Sequence, residues 1–266
     1  MSKTQIQSIV YGPVPSWRLG RSLGIDPVST KGKTCSFDCI YCQLGRTIHP
    51  LTERRRFVTP DVLRKQLAAV EDVPIDTVTF SGVGEPTLAI NLSELVAVVR
   101  EAMANHPVAI LTNASLIWRQ DVQSDLKHFD IVAAKVDAPT EDCFQAINRP
   151  AGQISLAQII DGIREFRADF IGKLALQMMF VQANRDQAKQ MAALARKLRP
   201  DEVQLNTPLR PCPVHPLSAT EMAAINAEFA GLPTINVYTA ERPQVAPVDV
   251  QATSRRRPRE SCIAGQ

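Results

Sequence analysis

Three of the chain's six cysteines, Cys35, Cys39 and Cys42, fall within "TCSFDCIYC", residues 34 to 42. Thiols spaced four and then three residues apart in a short loop can converge on one inorganic centre, the usual way iron–sulfur clusters are held. A cubane of four irons needs four ligands, so three cysteines leave one iron open to bind a small molecule directly, as catalytic zinc sites do with their free position. Two other uses of the thiols stay open at this point. His49, seven residues after Cys42, could complete a four-ligand zinc site, and a disulfide beside a stray thiol is the third possibility.

Other residues with chemical potential stand where short apolar runs end. "SGVGEPTL" (81–88) places Gly82 and Gly84 where a strand meets its loop, allowing close backbone approach to a ligand, with a tight turn stopped by Pro86 as the plain alternative. "TNAS" offers Thr112, Asn113 and Ser115, and Asn113 could equally cap the next helix. Lys135 and Asp137, two apart on an otherwise apolar run, face one side, where they could meet a ligand or form an ion pair. Gln177, Met179, Asn206, Thr207 and Arg210 complete the set, and Arg210 suits a carboxylate or phosphate. Cys143 reads as a small apolar filler in a helix, Cys212 as a possible hydrogen donor beside a reactive centre, and Cys262 as part of the tail.

The elements that must position these residues alternate in type. Candidate strands are 23–26, 77–82, 108–113, 131–137, 174–181 and 202–208, mostly continuous apolar runs of the kind buried on both faces of a parallel sheet. Between them run helices with readable starts: Thr59–Pro60 before Leu63, Leu67 and Val70; Ser155 before Ile159, Ile163 and Phe166; the stripe Ala188, Met191, Ala192, Ala195 and Leu198; and the capping box Ser218–Glu221. Six βα units in sequence predict an α/β fold, a partial (β/α)6 TIM-like barrel, although an open doubly wound sheet would read almost the same. Residues 1–22 are expected as an N-terminal extension, 23–240 as the barrel, and 241–266 as an irregular tail, with an edge strand at 236–239.

"CSFDCIYC" resembles the C-x3-C-x2-C signature of the radical S-adenosylmethionine (SAM) superfamily, with Tyr41 as the aromatic residue before the third cysteine, and "SGVGEPTL" resembles that family's glycine–glycine–glutamate–proline motif. The resemblance implies a partial barrel of the radical SAM type, a [4Fe–4S] cluster on Cys35, Cys39 and Cys42, and SAM chelated by the open iron. It further implies reductive cleavage of SAM to methionine and a 5′-deoxyadenosyl radical that abstracts hydrogen from a substrate. Gly82, Gly84, Glu85 and Pro86 would bind the methionyl amino group, Lys135 the carboxylate and Asp137 the ribose, with Tyr41 and Asn113 also at the cofactor and Cys212 near the radical. An electron donor of flavodoxin or ferredoxin type is implied as partner. "VYGPVPSWRLGRSLGIDPV" and "LNTPLRP" extend the resemblance to compact Fe–S oxidoreductases related to wyosine-type tRNA synthases, but the extra upstream cysteine triad of those synthases has no counterpart before Cys35.

A tRNA base is therefore one expected substrate, and a protein or peptide, as for an activase, the other; a non-catalytic Fe–S or zinc scaffold is the non-enzyme alternative. A net charge of +3 gives tRNA little electrostatic support, leaving the runs Arg54–Arg56 and Arg255–Arg257 with Arg259 as its possible contacts. The opening "MSKTQIQSIVYGP" has no signal-like run and no stretch nears the ~20 apolar residues of a membrane span, so a soluble, monomeric, cytoplasmic protein is expected.

Overall fold

The computed structural model describes residues 8–70 and 73–258. Its strands are β1 (Val10–Ser16), β2 (Gly20–Ile25), β3 (Thr34–Cys35), β4 (His49–Pro50), β5 (Thr77–Phe80), β6 (Val108–Thr112), β7 (Ile131–Lys135), β8 (Lys173–Met179), β9 (Glu202–Asn206) and β10 (Thr234–Asn236). Its helices are α1 (Pro60–Leu67), α2 (Leu92–Ala102), α3 (Gln120–Leu126), α4 (Glu141–Asn148), α5 (Leu156–Asp169), α6 (Ala188–Leu198), α7 (Ala219–Glu228) and α8 (Val250–Arg256).

Eight strands form one sheet in the order β1-β2-β5-β6-β7-β8-β9-β10, and β3 pairs with β4 apart from it. Every neighbour from β2 to β10 is parallel, while β1 is antiparallel to β2. The spatial order follows the chain order with no reversal, which excludes the doubly wound alternative, whose order switches mid-sheet. β1 and β10 do not pair with each other, so the sheet is a curled, unclosed half-barrel.

The caps expected from sequence form: the Thr59 side chain accepts from the Val62 amide, and both Ser155–Gln158 and Ser218–Glu221 make reciprocal capping boxes. The helices bury the stripes that their periodicity marks, among them Leu63 and Leu67 of α1, Ile159, Ile163 and Phe166 of α5, and Met191, Ala195 and Leu198 of α6. Phe80, Leu23, Ile25 and Ile110, buried in the sheet, share their core.

The two flanking segments differ from expectation. Residues 10–16 form β1, an edge strand hidden in the sequence by Gly12, Pro13 and Pro15; an edge tolerates proline because its outer amides need no partner, and the register shifts between Tyr11 and Val14. Residues 250–256, read as part of an irregular tail, form α8, capped by Asp249, whose carboxylate accepts from the Ala252 amide at 2.8 Å. Ala252 packs with Tyr11 and Val14, so α8 lies on β1, and it lacks a long apolar stripe because that contact is small. The edge strand expected at 236–239 lies slightly earlier, as β10.

Candidate active site at the mouth of the half-barrel

In parallel α/β sheets the loops after the strands' C-terminal ends build the site. Here the loop after β2 carries the three cysteines, and three other βα units hold it. Thr34 bridges Gly84: its amide donates to the Val83 carbonyl at 3.1 Å, and its carbonyl accepts from the Glu85 amide at 3.2 Å. On the β6 side, Ser36 meets Ser115 at 2.6 Å and accepts from Asn113 Nδ2 at 2.9 Å. At the end of α4, the Asp38 and Ile40 amides donate to the carbonyls of Asn148 and Ile147, each at 3.0 Å. The Phe37 ring meets Phe144 edge to face at 5.3 Å.

The sulfurs sit among donors. Cys35 Sγ accepts from the Phe37 amide at 3.4 Å and lies 3.6 Å from Asn113 Nδ2, while Cys39 Sγ accepts from Asn148 Nδ2 at 3.5 Å. The buried ammonium of Lys33 acts electrostatically on all three thiols. Burial pushes Cys35 up to about 12 and also raises Cys39, so the thiolates form only where a bound metal centre offsets the desolvation. Among the described residues no three His, Cys, Asp or Glu side chains are placed to hold a single metal ion. His49, the candidate fourth zinc ligand, is exposed on β4 and meets the Lys31 carbonyl at 3.1 Å. Three thiols in one loop, with amide donors and one cation around them and no fourth protein ligand beside them among the described residues, suit an anionic cluster better than a four-ligand zinc ion.

The glycine loop packs too tightly for side chains. A Cβ on Gly84 would lie 1.6 Å from the Thr34 carbonyl oxygen, and one on Gly82 would lie 2.1 Å from the Asp26 carboxyl. Pro86 starts a 3-10 turn capped by Glu85. The Glu85 carboxylate is fully committed: it accepts from Thr87 N and Oγ1 at 3.0 and 2.7 Å, from Thr112 Oγ1 at 2.6 Å and from the Asn113 amide at 2.7 Å. It therefore ties the loop after β5 to β6. Asn113 is likewise engaged: its Oδ1 accepts from the Ser115 amide at 2.9 Å, and its Nδ2 faces Ser36 and Cys35.

Tyr41, Lys135 and Asp137 form one network. Tyr41 Oη donates to Asp137 Oδ2, which also accepts from Asn148 Nδ2 at 2.7 Å; Asp137 Oδ1 accepts from the Met179 amide at 2.8 Å and lies 3.4 Å from Lys135 Nζ. Lys135 sits over the Tyr41 ring at 4.5 Å. Asp137 is 1% exposed in its side chain and Lys135 15%, so the ion-pair alternative is realised: the carboxylate is internal and only the ammonium reaches open space. Burial, and then Asp137, holds the Tyr41 hydroxyl well above its ordinary range, keeping it a donor. Asn148, which no spacing or motif marks, joins Cys39, Tyr41 and Asp137.

A cavity of about 340 Å³ opens inside the half-barrel. Tyr41, Cys42, Gly82, Lys135, Gln177 and Met179 line it, together with Asn206, Thr207 and Arg210. Cys212 is not among its lining residues; half-buried, its thiol donates to the Val214 carbonyl at 3.1 Å. Cys143 is buried at the start of α4, in the filler role its sequence context suggested, and Cys262 lies outside the described residues. Sequence reasoning missed Arg18, Arg256 and Arg257 as lining residues: Arg18 stands in a turn without a motif, and the other two belong to a run that reads as solvated surface.

No helix among the described residues is long and apolar enough to cross a membrane. The family model described as the radical SAM superfamily matches residues 30–195. A UPF0026 protein of Methanocaldococcus jannaschii is 41% identical over 211 residues, 77% of this chain and 64% of its own length, so this chain spans less than two thirds of that relative. A UPF0026 protein of Synechocystis is 42% identical over 207 residues, 77% of each chain. Streptococcus suis SuiB, solved with SAM bound, superposes with a TM-score of 0.63 at 14% identity, covering 82% of this chain and 50% of SuiB, a likeness of fold. The cysteine loop, the glycine loop bridged to it and the family match together place this chain in the radical SAM superfamily of enzymes, whose cofactors are a [4Fe–4S] cluster and SAM.

Proposed function

We propose that this chain cleaves SAM reductively and abstracts hydrogen from a substrate held in the half-barrel cavity. The observation that carries the reading is the Thr34–Gly84 bridge, which fixes the thiol loop against the glycine loop on the rim of a cavity lined by Cys42, Gly82 and Lys135. Cys35, Cys39 and Cys42 would hold the cluster, which together with SAM supplies one-electron cleavage to a 5′-deoxyadenosyl radical. Asn113 and Asn148 donate toward Cys35 and Cys39, favouring charge on sulfur, and Lys33 does the same through space. The backbone around Gly82 and Gly84 is open to the methionyl amino group, and the Lys135 ammonium is the cation placed for its carboxylate. Asp137 acts behind Lys135 and Tyr41 as a positioning residue. A flavodoxin- or ferredoxin-type protein is the class of donor this chemistry requires.

The substrate expectation shifts away from tRNA. Arg54 is 2% exposed and paired with Asp121 and Asp125, and Arg56 is paired with Glu94. Arg255 donates to the Thr30 carbonyl, Arg256 is paired with Asp26, and Arg257 lines the cavity. Of the described residues in the two runs Arg55 alone is left exposed without an ion pair, which is less than the broad basic face that an RNA backbone needs; Arg259 lies outside the described residues.

The test is anaerobic reconstitution followed by reduction in the presence of SAM. The expected result is about four irons per chain and 5′-deoxyadenosine formation, with both lost in Cys39→Ala. A colourless protein that binds zinc and yields no 5′-deoxyadenosine would establish the scaffold alternative instead.

A further inference from the structure

The charged residues lining the cavity are all of one sign. Arg18, Lys135, Arg210, Arg242, Arg256 and Arg257 line it, and among the described residues no aspartate or glutamate does. Lys135 and Arg256 are neutralised from behind by Asp137 and Asp26. Arg18, Arg210 and Arg257 make no salt bridge among the described residues. Three separate segments bring them there: the β1–β2 turn, the loop after β9 and the end of α8.

Arg18 carries the argument furthest. Its Nε and Nη1 are both buried without a hydrogen-bond partner, and its guanidinium lies 5.3 Å from the centre of the Trp17 ring. Burial, and then the field of Arg257, lowers Arg18 to about 10, with Glu202 opposing; burial, Arg257 and Arg18 lower Arg210 to about 9. The guanidiniums thus feel one another. Glu202 is itself engaged by Lys173 at 2.7 Å. Bringing mutually repelling cations out of water, with two guanidinium nitrogens of Arg18 unpartnered, is costly, and folded proteins retain such groups where a ligand completes them.

SAM does not meet this need. It carries one carboxylate against an ammonium and a sulfonium, so its entry adds positive charge. Lys135, beside Cys39 and Tyr41, already stands at the cysteine end for that carboxylate.

We infer that the second substrate is a small molecule bearing a multiply charged oxyanion, phosphate or carboxylate, held in the cavity by Arg18, Arg210 and Arg257. The inference rests on reading this cavity as the substrate chamber. Guanidinium forks match both groups in bidentate geometry. A small molecule is favoured over a polymer because the cations face the interior of the half-barrel rather than an outer surface.

The experiment uses the reconstituted full chain without SAM, titrated with pyrophosphate, succinate and an RNA stem-loop at constant ionic strength, with thermal unfolding and equilibrium dialysis as readouts. Saturable binding of pyrophosphate or succinate that raises the unfolding temperature is expected, and whichever binds tighter identifies the group as phosphate or carboxylate. Binding should weaken at least about tenfold in Arg210→Gln. Arg18→Met should unfold at a higher temperature than the unsubstituted ligand-free chain, since a partnerless buried charge is gone, and should lose the oxyanion response. No saturable binding of either small oxyanion, tighter binding of the RNA, or a lower unfolding temperature for a folded Arg18→Met would overturn the assignment. Normal 5′-deoxyadenosine formation without oxyanion binding overturns this inference alone. Oxyanion binding in a chain that cannot cleave SAM overturns the proposed reaction but leaves the binding site standing.

Discussion

Two arginines, Arg256 and Arg18, line the same cavity in opposite states. Arg256, at the end of α8, is 1% exposed and meets a fully buried Asp26 at 2.8 Å. Its other nitrogens donate to the Ser8 and Ala252 carbonyls at 2.8 and 3.1 Å and to Ser29 Oγ at 3.1 Å, and its guanidinium lies 5.0 Å from the Tyr11 ring centre. Asp26 is equally engaged, by the Ser29 and Val83 amides at 2.8 and 3.2 Å. Arg18 shares only the aromatic ring, that of Trp17; its Nε and Nη1 are buried with no hydrogen-bond partner. The satisfied arginine is structural, joining the C-terminal helix to β2 and to the loop holding Gly82; the unsatisfied one leaves binding capacity facing the cavity. The thiol side of the cavity resembles the Arg256 site, since Glu85, Asp137, Asn113 and Asn148 all have their partners within the chain.

The comparison can be broken most directly at Arg256. Arg256→Ala should destabilise the fold by about 3–5 kcal/mol, because Asp26 is left as a buried uncompensated charge; denaturant unfolding measures it, and a loss below 1 kcal/mol would remove the distinction from Arg18. Gly84→Ala drives a methyl into the Thr34 carbonyl. The expected loss is about 1–3 kcal/mol, accompanied by lower iron content after reconstitution, whereas unchanged iron would show that the bridge does not set the thiol loop. Asp137→Asn removes a charge that Tyr41, Asn148, Lys135 and the Met179 amide share. It should cost about 2 kcal/mol and weaken SAM retention in equilibrium dialysis; intact SAM affinity would take Lys135 and Tyr41 out of the cofactor site.

The smallest effect sharpens the contrast by acid. Asp121 is held at about 2, first by Arg119 and then by Arg54. A depressed carboxyl contributes stability at pH above its ordinary value near 3.8, and that contribution disappears as pH falls toward 2. Protonation leaves the buried Arg54 with less charge to face, moving it toward the condition of Arg18. Asp121 is 45% exposed, so solvent screening keeps the loss below about 1 kcal/mol. Unfolding midpoints compared at pH 5 and pH 2.5 in the native chain and in Asp121→Asn measure it, and an equal acid loss in both would assign the effect elsewhere.

Most of the barrel was legible from local signals. Helix starts at Thr59, Ser155 and Ser218 announce themselves because a cap needs only its own next turn, and buried parallel strands read as apolar runs because both faces are covered. β1 and α8 were not legible: the proline-bearing edge strand carries weak strand signals, and α8 is anchored by contacts far away in sequence, among them an ion pair across 230 positions.

The amino-acid sequence by itself determined the number and parallel direction of the core strands, the three thiols and the glycine loop, because each depends on residue type at short spacing. Only the tertiary structure decided which charges are neutralised. Arg256 and Arg18 are the same residue type, and Glu85 and Asp137 both look like ligands in a motif. Whether a charged group is spent within the chain or left for a ligand depends on partners far away in sequence, and those distances exist only once the sheet has curled.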